Sequence, residues 1–77
     1  MDVDALTWSK PFCGVTHLSS NGFQVTVTDY GSLAEARLFG RESFVPIWEA
    51  TFYAADDPEY LNAAKRTGRE KLKAYIS

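Results

Sequence analysis

The single histidine and the single cysteine are the side chains best suited to chemistry in this 77-residue sequence. Histidine is the residue type whose ordinary pKa lies near neutrality, so His17 is the first candidate for a general base. Cys13 lies four residues before it, in a segment that we predict to be extended. Because four extended residues span roughly 13 Å, the two side chains cannot form a hydrogen-bonded nucleophile and base. We expect both to be ordinary strand residues.

Hydroxyl groups and glycines add no catalytic motif. Ser19 and Ser20 follow the histidine but lack the strand-turn-helix elbow and the oxyanion loop of serine hydrolases. The five glycines stand singly, so none belongs to a phosphate-binding loop. One cysteine and one histidine also exclude an internal disulfide and a Cys/His zinc site. We expect a protein that is not an enzyme and that uses neither a cofactor nor a metal.

The acidic cluster of Asp56, Asp57 and Glu59 is better explained as a helix start than as a metal site. Aspartate accepts hydrogen bonds from free backbone N–H groups, Pro58 suits the first helical position, and acids suit the positive end of the helix dipole. A calcium loop would instead need alternating oxygen ligands over about twelve residues. Apolar residues then recur at helical spacing, and they are Leu61, Ala64, Gly68, Leu72, Tyr75 and Ile76. We predict a helix over residues 58–76, whose glycine marks a close approach to a sheet or to an aromatic ring.

Upstream of the helix the period changes to two, which is typical of strands. Residues 23–29 alternate β-favouring apolar residues with polar ones. The Asn21-Gly22 dipeptide before them is a strong hairpin signal, because both residues tolerate positive φ. A two-residue loop there fixes a register in which Leu18 faces Val25.

Residues 33–39 contain good helix formers, yet we predict a strand. A turn at Tyr30-Gly31 would place Ala34 beside Val27. Small side chains on this strand would let a helix come close to the sheet.

Residues 44–54 are rich in aromatic and β-branched residues and form the last predicted strand. Pro46 cannot donate to a ladder, so this strand lies at an edge or begins with a bulge. The resulting fold class is α+β, one domain over residues 1–77 with the helix packed on one face of a four-stranded antiparallel meander. Its strands are predicted at about residues 11–19, 23–29, 33–39 and 44–54. Residues 1–10 are either loosely ordered or place Leu6 and Trp8 against the core or over the open face.

The composition is that of one small folded domain. The sequence is 45% hydrophobic and 14% aromatic, which excludes disordered and repetitive classes. A core of this size supplies only about 3–5 kcal/mol of net stability, so help from oligomerisation or a partner is expected. The sequence shows neither a secretory signal pattern nor a long apolar run, so we expect a cytoplasmic protein that does not engage a membrane. Short acidic domains of this kind are common in phages and other mobile elements, although no residue indicates that origin.

The face of the predicted sheet away from the helix carries more apolar groups than a solvent-facing sheet needs. The predicted register places there Val15, Tyr30, Leu33, Phe39, Val45, Ile47 and Tyr53. Such a patch marks an interface, unless residues 1–10 cover it or the register slips by one residue. We predict a non-catalytic protein-interaction module that uses this face or an edge strand, as an adaptor or inhibitor of a larger protein or by self-association. Its partner is another protein or a second copy of the chain.

The net charge of −2 is divided unevenly along the chain. Residues 1–59 hold nine acids and three bases, whereas residues 60–77 hold five bases and one acid. The bases that share one arc of the predicted helix are Lys65, Arg66, Arg69 and Lys73. They could contact phosphates, so nucleic-acid binding is the alternative function. Against it, these bases also suit the negative end of the helix dipole, and the acidic remainder of a chain with pI near 5.2 repels nucleic acid.

Overall fold

Four strands follow one another along the chain and pair in that same order in the computed structural model, which describes residues 3–76. The strands are β1 (Val15–Ser20), β2 (Phe23–Asp29), β3 (Leu33–Phe39) and β4 (Pro46–Tyr53), and the helix α1 is Tyr60–Ile76. All three strand pairings are antiparallel. The helix packs on one face of the sheet, mainly over β2 and β3. The predicted α+β meander with one C-terminal helix is confirmed.

The first hairpin has the predicted turn and the predicted register. Asn21 and Gly22 have φ values of 54° and 84°, which suit the tight turn that joins twisted antiparallel strands. Leu18 pairs with Val25 as expected. The Arg41 side chain crosses the turn, and its Nε donates to the backbone carbonyl of Asn21 at 2.8 Å.

The first strand is shorter than predicted, because the chain turns where we expected it to be extended. Cys13 and Gly14 have φ values of 52° and 78°, in the left-handed region that a strand does not contain. Phe12 and Val15 exchange backbone hydrogen bonds across this turn. The strand therefore begins at Val15 rather than near residue 11, and Cys13 is an exposed turn residue.

The register between β2 and β3 corrects the sequence prediction by two residues. Val27 pairs with Ala36 and not with Ala34. Gly31, with a φ of 89°, occupies the first position of the turn instead of the second, and its N–H donates to Asp29 Oδ1 at 2.8 Å. Because side chains alternate with a period of two, a shift of two residues leaves each side chain on its predicted face.

The last strand both lies at an edge of the sheet and begins with a bulge, the two alternatives that Pro46 indicated. β4 lies at the edge of the sheet, and the β3–β4 register shifts between Leu38 and Phe39, where Pro46 enters the pairing. The prediction of residue 44 as the strand start is early by two residues, because the chain enters β4 only after the turn at 41–42 and the bend at 44–45.

The helix begins at Tyr60, two residues later than predicted, and one of the acids before it, Asp57, accepts a backbone N–H at the helix start. Asp57 Oδ1 accepts the N–H of Glu59 at 2.8 Å. The Tyr60 hydroxyl donates to Asp29 Oδ1 at 2.9 Å, which joins the helix start to the β2–β3 turn. This hydrogen bond, together with burial, raises the pKa of Tyr60 above its usual value.

The core lies between α1 and the sheet, and its closest contact is at Gly68. The buried apolar residues are Val3, Leu18, Val25, Val27, Ala34, Ala36, Leu38, Ala64 and Leu72. A Cβ atom at Gly68 would lie 2.7 Å from Val25 Cγ1 and 3.8 Å from the Trp8 ring. The close approach expected from this glycine is confirmed, to the sheet and to a ring at once.

We expect Gly68→Ala to lower the free energy of unfolding by about 1–2 kcal/mol. Overpacking a close-packed core costs roughly 1–3 kcal/mol, and this exceeds the gain of about 1 kcal/mol in helix propensity. Asn62→Ala is the matched control, because Asn62 lies on the exposed side of the same helix. Urea denaturation measures both variants. A Gly68→Ala protein as stable as the wild type would show that the helix does not need this close contact.

Candidate protein-binding surface

The middle of the open sheet face is polar. His17, Thr26, Arg37 and Glu49 lie side by side across the four strands. The Arg37 guanidinium bonds to the Glu35 carboxylate through Nη2. Its Nε lies 3.3 Å from Glu49 Oε2, an ion-pair distance at which the N–H is not aligned for a hydrogen bond. Exposed pairs of this kind add little stability, but they keep the centre of the face hydrophilic.

The seven predicted interface residues therefore do not form one patch. They divide into two groups, one at each end of the strands, on either side of the polar middle of the face. Val15, Tyr30, Leu33 and Tyr53 lie at the end near the β2–β3 turn, and Phe39, Val45 and Ile47 lie at the end near the first hairpin. The structure keeps the predicted faces but separates the predicted cluster.

Among the large apolar side chains of residues 3–76, the most exposed is a phenylalanine that the strand pattern did not place on any face. Phe44 is 98% exposed and its neighbour Val45 is 72% exposed. The Ser43 hydroxyl holds this bend through the N–H and the carbonyl of Val45, each at 3.2 Å. The bend borders a groove of about 490 Å³, which is lined by Gly22, Gln24, Phe39, Gly40, Glu42, Ser43 and Phe44. A large apolar residue two positions before a strand that begins with proline is the sequence signal that identifies this position.

The outer edge of β4 presents unpaired backbone groups. The N–H of Ala54 donates to Ser32 on the β3 side, whereas the carbonyl of Tyr53 points away from β3 and accepts from the turn that follows it. Because antiparallel strands alternate in this way, the N–H and C=O groups of Ile47, Glu49 and Thr51 also point outward. Nothing in residues 3–76 pairs with those groups.

The other edge of the sheet is covered by the chain itself. The N–H of Ser9 donates to the carbonyl of His17 at 3.0 Å, and the N–H of His17 donates to Ser9 Oγ at 2.9 Å. The His17 ring contacts the same hydroxyl through Nδ1 at 3.1 Å. Phe12 pairs with Val15 further along this edge. The histidine is thus a strand residue held by a serine, and β1 offers little free backbone.

The N-terminal segment, residues 3–9, lies on the helix side of the sheet and leaves the open face uncovered. Val3 is buried in the core, and Leu6 and Trp8 pack against it. Arg69 Nη1 donates to the carbonyls of Val3 at 2.7 Å and Leu6 at 2.8 Å. The guanidinium also lies 6.0 Å from the centre of the Trp8 ring, a cation–π distance.

The four basic residues predicted as a nucleic-acid surface have different environments. Arg69 binds the N-terminal segment, and Lys73 Nζ lies 2.8 Å from Asp4 Oδ2. Lys65 borders a cavity of about 80 Å³ between β1 and α1, and Arg66 is exposed. The structure therefore does not present the four bases as one continuous phosphate-binding patch.

Comparison with known proteins identifies no relative: no family model, no curated protein and no solved structure matches this chain. Within residues 3–76, no three His, Cys, Asp or Glu side chains come together as a metal site requires. No helix in that part of the chain has the length and apolar character needed to cross a membrane.

We expect Arg69→Ala to loosen the N-terminal segment. The variant loses charge-assisted hydrogen bonds to two carbonyls, so unfolding free energy should fall by about 2 kcal/mol. Amide exchange should accelerate in residues 3–9. Arg66→Ala removes an exposed charge from the same helix. It should change the free energy of unfolding by no more than about 0.5 kcal/mol and leave amide exchange in residues 3–9 nearly unchanged. Equal effects of the two substitutions would contradict this role for Arg69.

Lys73 should control the ionisation of Asp4. Its hydrogen bond and its charge lower the pKa of Asp4 below the ordinary value of 3.8. Because the folded pKa is the lower one, the stabilisation is present above the unfolded pKa and is lost as pH falls through the folded pKa. Carbon NMR of the Asp4 carboxyl measures this value directly. We expect Lys73→Met to raise it toward 3.8, and an unchanged titration in that variant would show that the pair does not persist in solution.

Proposed function

We propose that this chain is a non-catalytic protein-interaction module that binds its partner through β4 and the apolar residues beside it. The observation that carries the proposal is the open edge of this strand, flanked by exposed apolar side chains. Phe44, Val45, Ile47 and Tyr53 are all large, apolar and exposed, and all lie on β4 or within two residues of its start. An unpaired edge offers main-chain hydrogen bonds for affinity, and the neighbouring side chains offer specificity.

The energetics of a small domain support the same proposal. An exposed edge strand is a liability, because it can pair with other chains, and proteins usually blunt it with lysines, prolines or a covering segment. Here the N-terminal segment covers part of the β1 edge, whereas β4 has only Pro46 at its start and Glu49 in its middle. A partner on β4 would satisfy this edge and bury the apolar groups beside it.

As a module of this kind, the protein acts as an adaptor or inhibitor of a larger protein, or it self-associates. Its acidic sheet portion suits competition for basic protein surfaces. A cytoplasmic setting is part of the proposal, since Cys13 is an exposed free thiol and such thiols persist in reducing compartments.

Nucleic-acid binding is the alternative function, and it has lost two of its four supporting residues. Arg69 and Lys73 contact the N-terminal segment, so Lys65 and Arg66 are left as phosphate contacts. A complex with single-stranded nucleic acid that disappears in a Lys65→Ala, Arg66→Ala double variant would favour this alternative.

Photo-crosslinking tests the proposed surface. A benzophenone side chain at position 44 is compared with one at position 12, because Phe44 and Phe12 are both exposed and lie at opposite ends of the sheet. We expect protein adducts in the native host from position 44 and not from position 12. Phe44→Ser should weaken the captured complex by at least about tenfold, as truncation of an interface aromatic does. Adducts from position 12 alone, or from neither position, would refute binding at β4.

A further inference from the structure

We propose that the partner of β4 is β4 of a second copy of this chain, paired antiparallel about a two-fold axis at Ala50. This inference rests on the proposed function and specifies its partner. It follows from the order of residues along the edge. In an antiparallel two-fold pair, residues equidistant from the axis lie opposite each other. For hydrogen bonds to form between the two edges, residues whose backbone N–H and C=O groups point outward must lie opposite residues of the second copy whose groups also point outward.

An axis at Ala50 satisfies this rule with compatible side chains on the open face. Glu49 then lies opposite Thr51 of the second copy, where its carboxylate can accept the threonine hydroxyl. Ile47 lies opposite Tyr53 of the second copy. These two side chains are 44% and 49% exposed in the single chain, so pairing removes apolar surface from water at both ends of the strand. The ladder contains about six main-chain hydrogen bonds.

The neighbouring registers are less favourable. An axis at Glu49 would place two carboxylates directly opposite each other, and like charges in that position are destabilising. An axis at Thr51 would place Glu49 opposite Tyr53 and leave Ile47 beyond the end of the partner strand, which stops at Tyr53. The charge of Glu49 and the end of the strand at Tyr53 therefore favour the register with its axis at Ala50.

The helix side of β4 supports the same register. Because α1 lies mainly over β2 and β3, Trp48 and Phe52 are only partly buried. With the axis at Ala50, each Trp48 lies opposite Phe52 of the second copy, and the two alanines meet at the centre. These are positions without ladder hydrogen bonds, where side chains approach most closely. The Lys71 ammonium already lies 5.8 Å from the Trp48 ring and stays beside the new aromatic pair.

The assembly closes on itself. Two four-stranded sheets become one continuous sheet with both helices on the same face. The β1 edges remain at the outside, where Ser9 and Phe12 bond to β1. A two-fold pair through β4 uses both β4 edges, and the partly covered β1 edges that remain outside are poor templates for a fibre.

Matched charge variants at Thr51 test the register by sedimentation over an approximately hundredfold concentration range. The wild type should reach twice the 8.6 kDa of one chain. Thr51→Glu places a carboxylate opposite Glu49 of the second copy and should weaken dimerisation by about tenfold or more, whereas Thr51→Lys places an opposite charge there and should preserve or strengthen it. Circular dichroism verifies that both variants fold.

Disulfide trapping gives a second test, in a Cys13→Ser background. In the proposed register Ala50 meets its own copy at a Cα separation of about 4.5 Å, which a disulfide can bridge. Glu49→Cys and Thr51→Cys are the controls, because each would meet its copy only diagonally, at about 7–8 Å. We expect Ala50→Cys to cross-link much faster than either control.

The outcomes separate this inference from the proposed function. A monomer at every concentration overturns self-pairing, and the crosslinks from position 44 then decide whether β4 binds a different protein. A dimer that is unaffected by Thr51→Glu overturns pairing through β4. Faster cross-linking at position 49 or 51 overturns the register with its axis at Ala50.

Discussion

The contact between Gly68 and Val25 determines how the helix lies on the sheet. With no Cβ on Gly68, the backbone of α1 reaches the side chains of β2 at a distance that any other residue would obstruct. On β3, the buried side chains of Ala34 and Ala36 are small, which also suits a close approach of the helix. One helix cannot cover four strands, so a helix drawn down over β2 and β3 leaves β4 at the margin of the core. The exposure of β4 is a consequence of this packing.

The two edges of the sheet differ because the N-terminal segment reaches only one of them. Arg69 fixes this segment by binding the carbonyls of Val3 and Leu6. From there the chain passes along β1, where Ser9 bonds to the backbone of His17. No comparable segment lies beside the middle of β4 within residues 3–76, and the outward N–H and C=O groups of Ile47, Glu49 and Thr51 stay open. The positions of the helix and of the N-terminal segment together leave the sheet with one edge that is partly covered and one edge that is open.

The sequence predicts the fold well wherever a few neighbouring residues determine the local conformation. Asn21-Gly22 predicts the first hairpin, the apolar stripe around Gly68 predicts the helix, and Pro46 indicates a strand that lies at an edge or begins with a bulge. The pattern was less informative where several turns are possible. Gly31 can take the first or the second turn position, and in the structure it takes the first, where its N–H donates to Asp29 Oδ1.

The candidate surface was harder to predict than the fold. Alternation places side chains on a face, but it does not show that polar residues from all four strands line up and divide that face in two. Phe44 belongs to the last predicted strand but to neither of its predicted faces, and it lies in the bend before β4. The role of Arg69 was also hidden, because its acceptors are backbone carbonyls near the other end of the chain and carry no charge in the sequence.

Amide exchange along β4 tests most directly whether this edge is open and pairs with its own copy. We expect rapid exchange at Glu49 and Thr51 in dilute protein, slow exchange at Ala50 and Phe52, and growing protection of the first two amides as concentration rises. Outward amides that are protected at every concentration would show that the chain covers its own edge. Outward amides that stay unprotected in concentrated protein would show that β4 does not pair with itself.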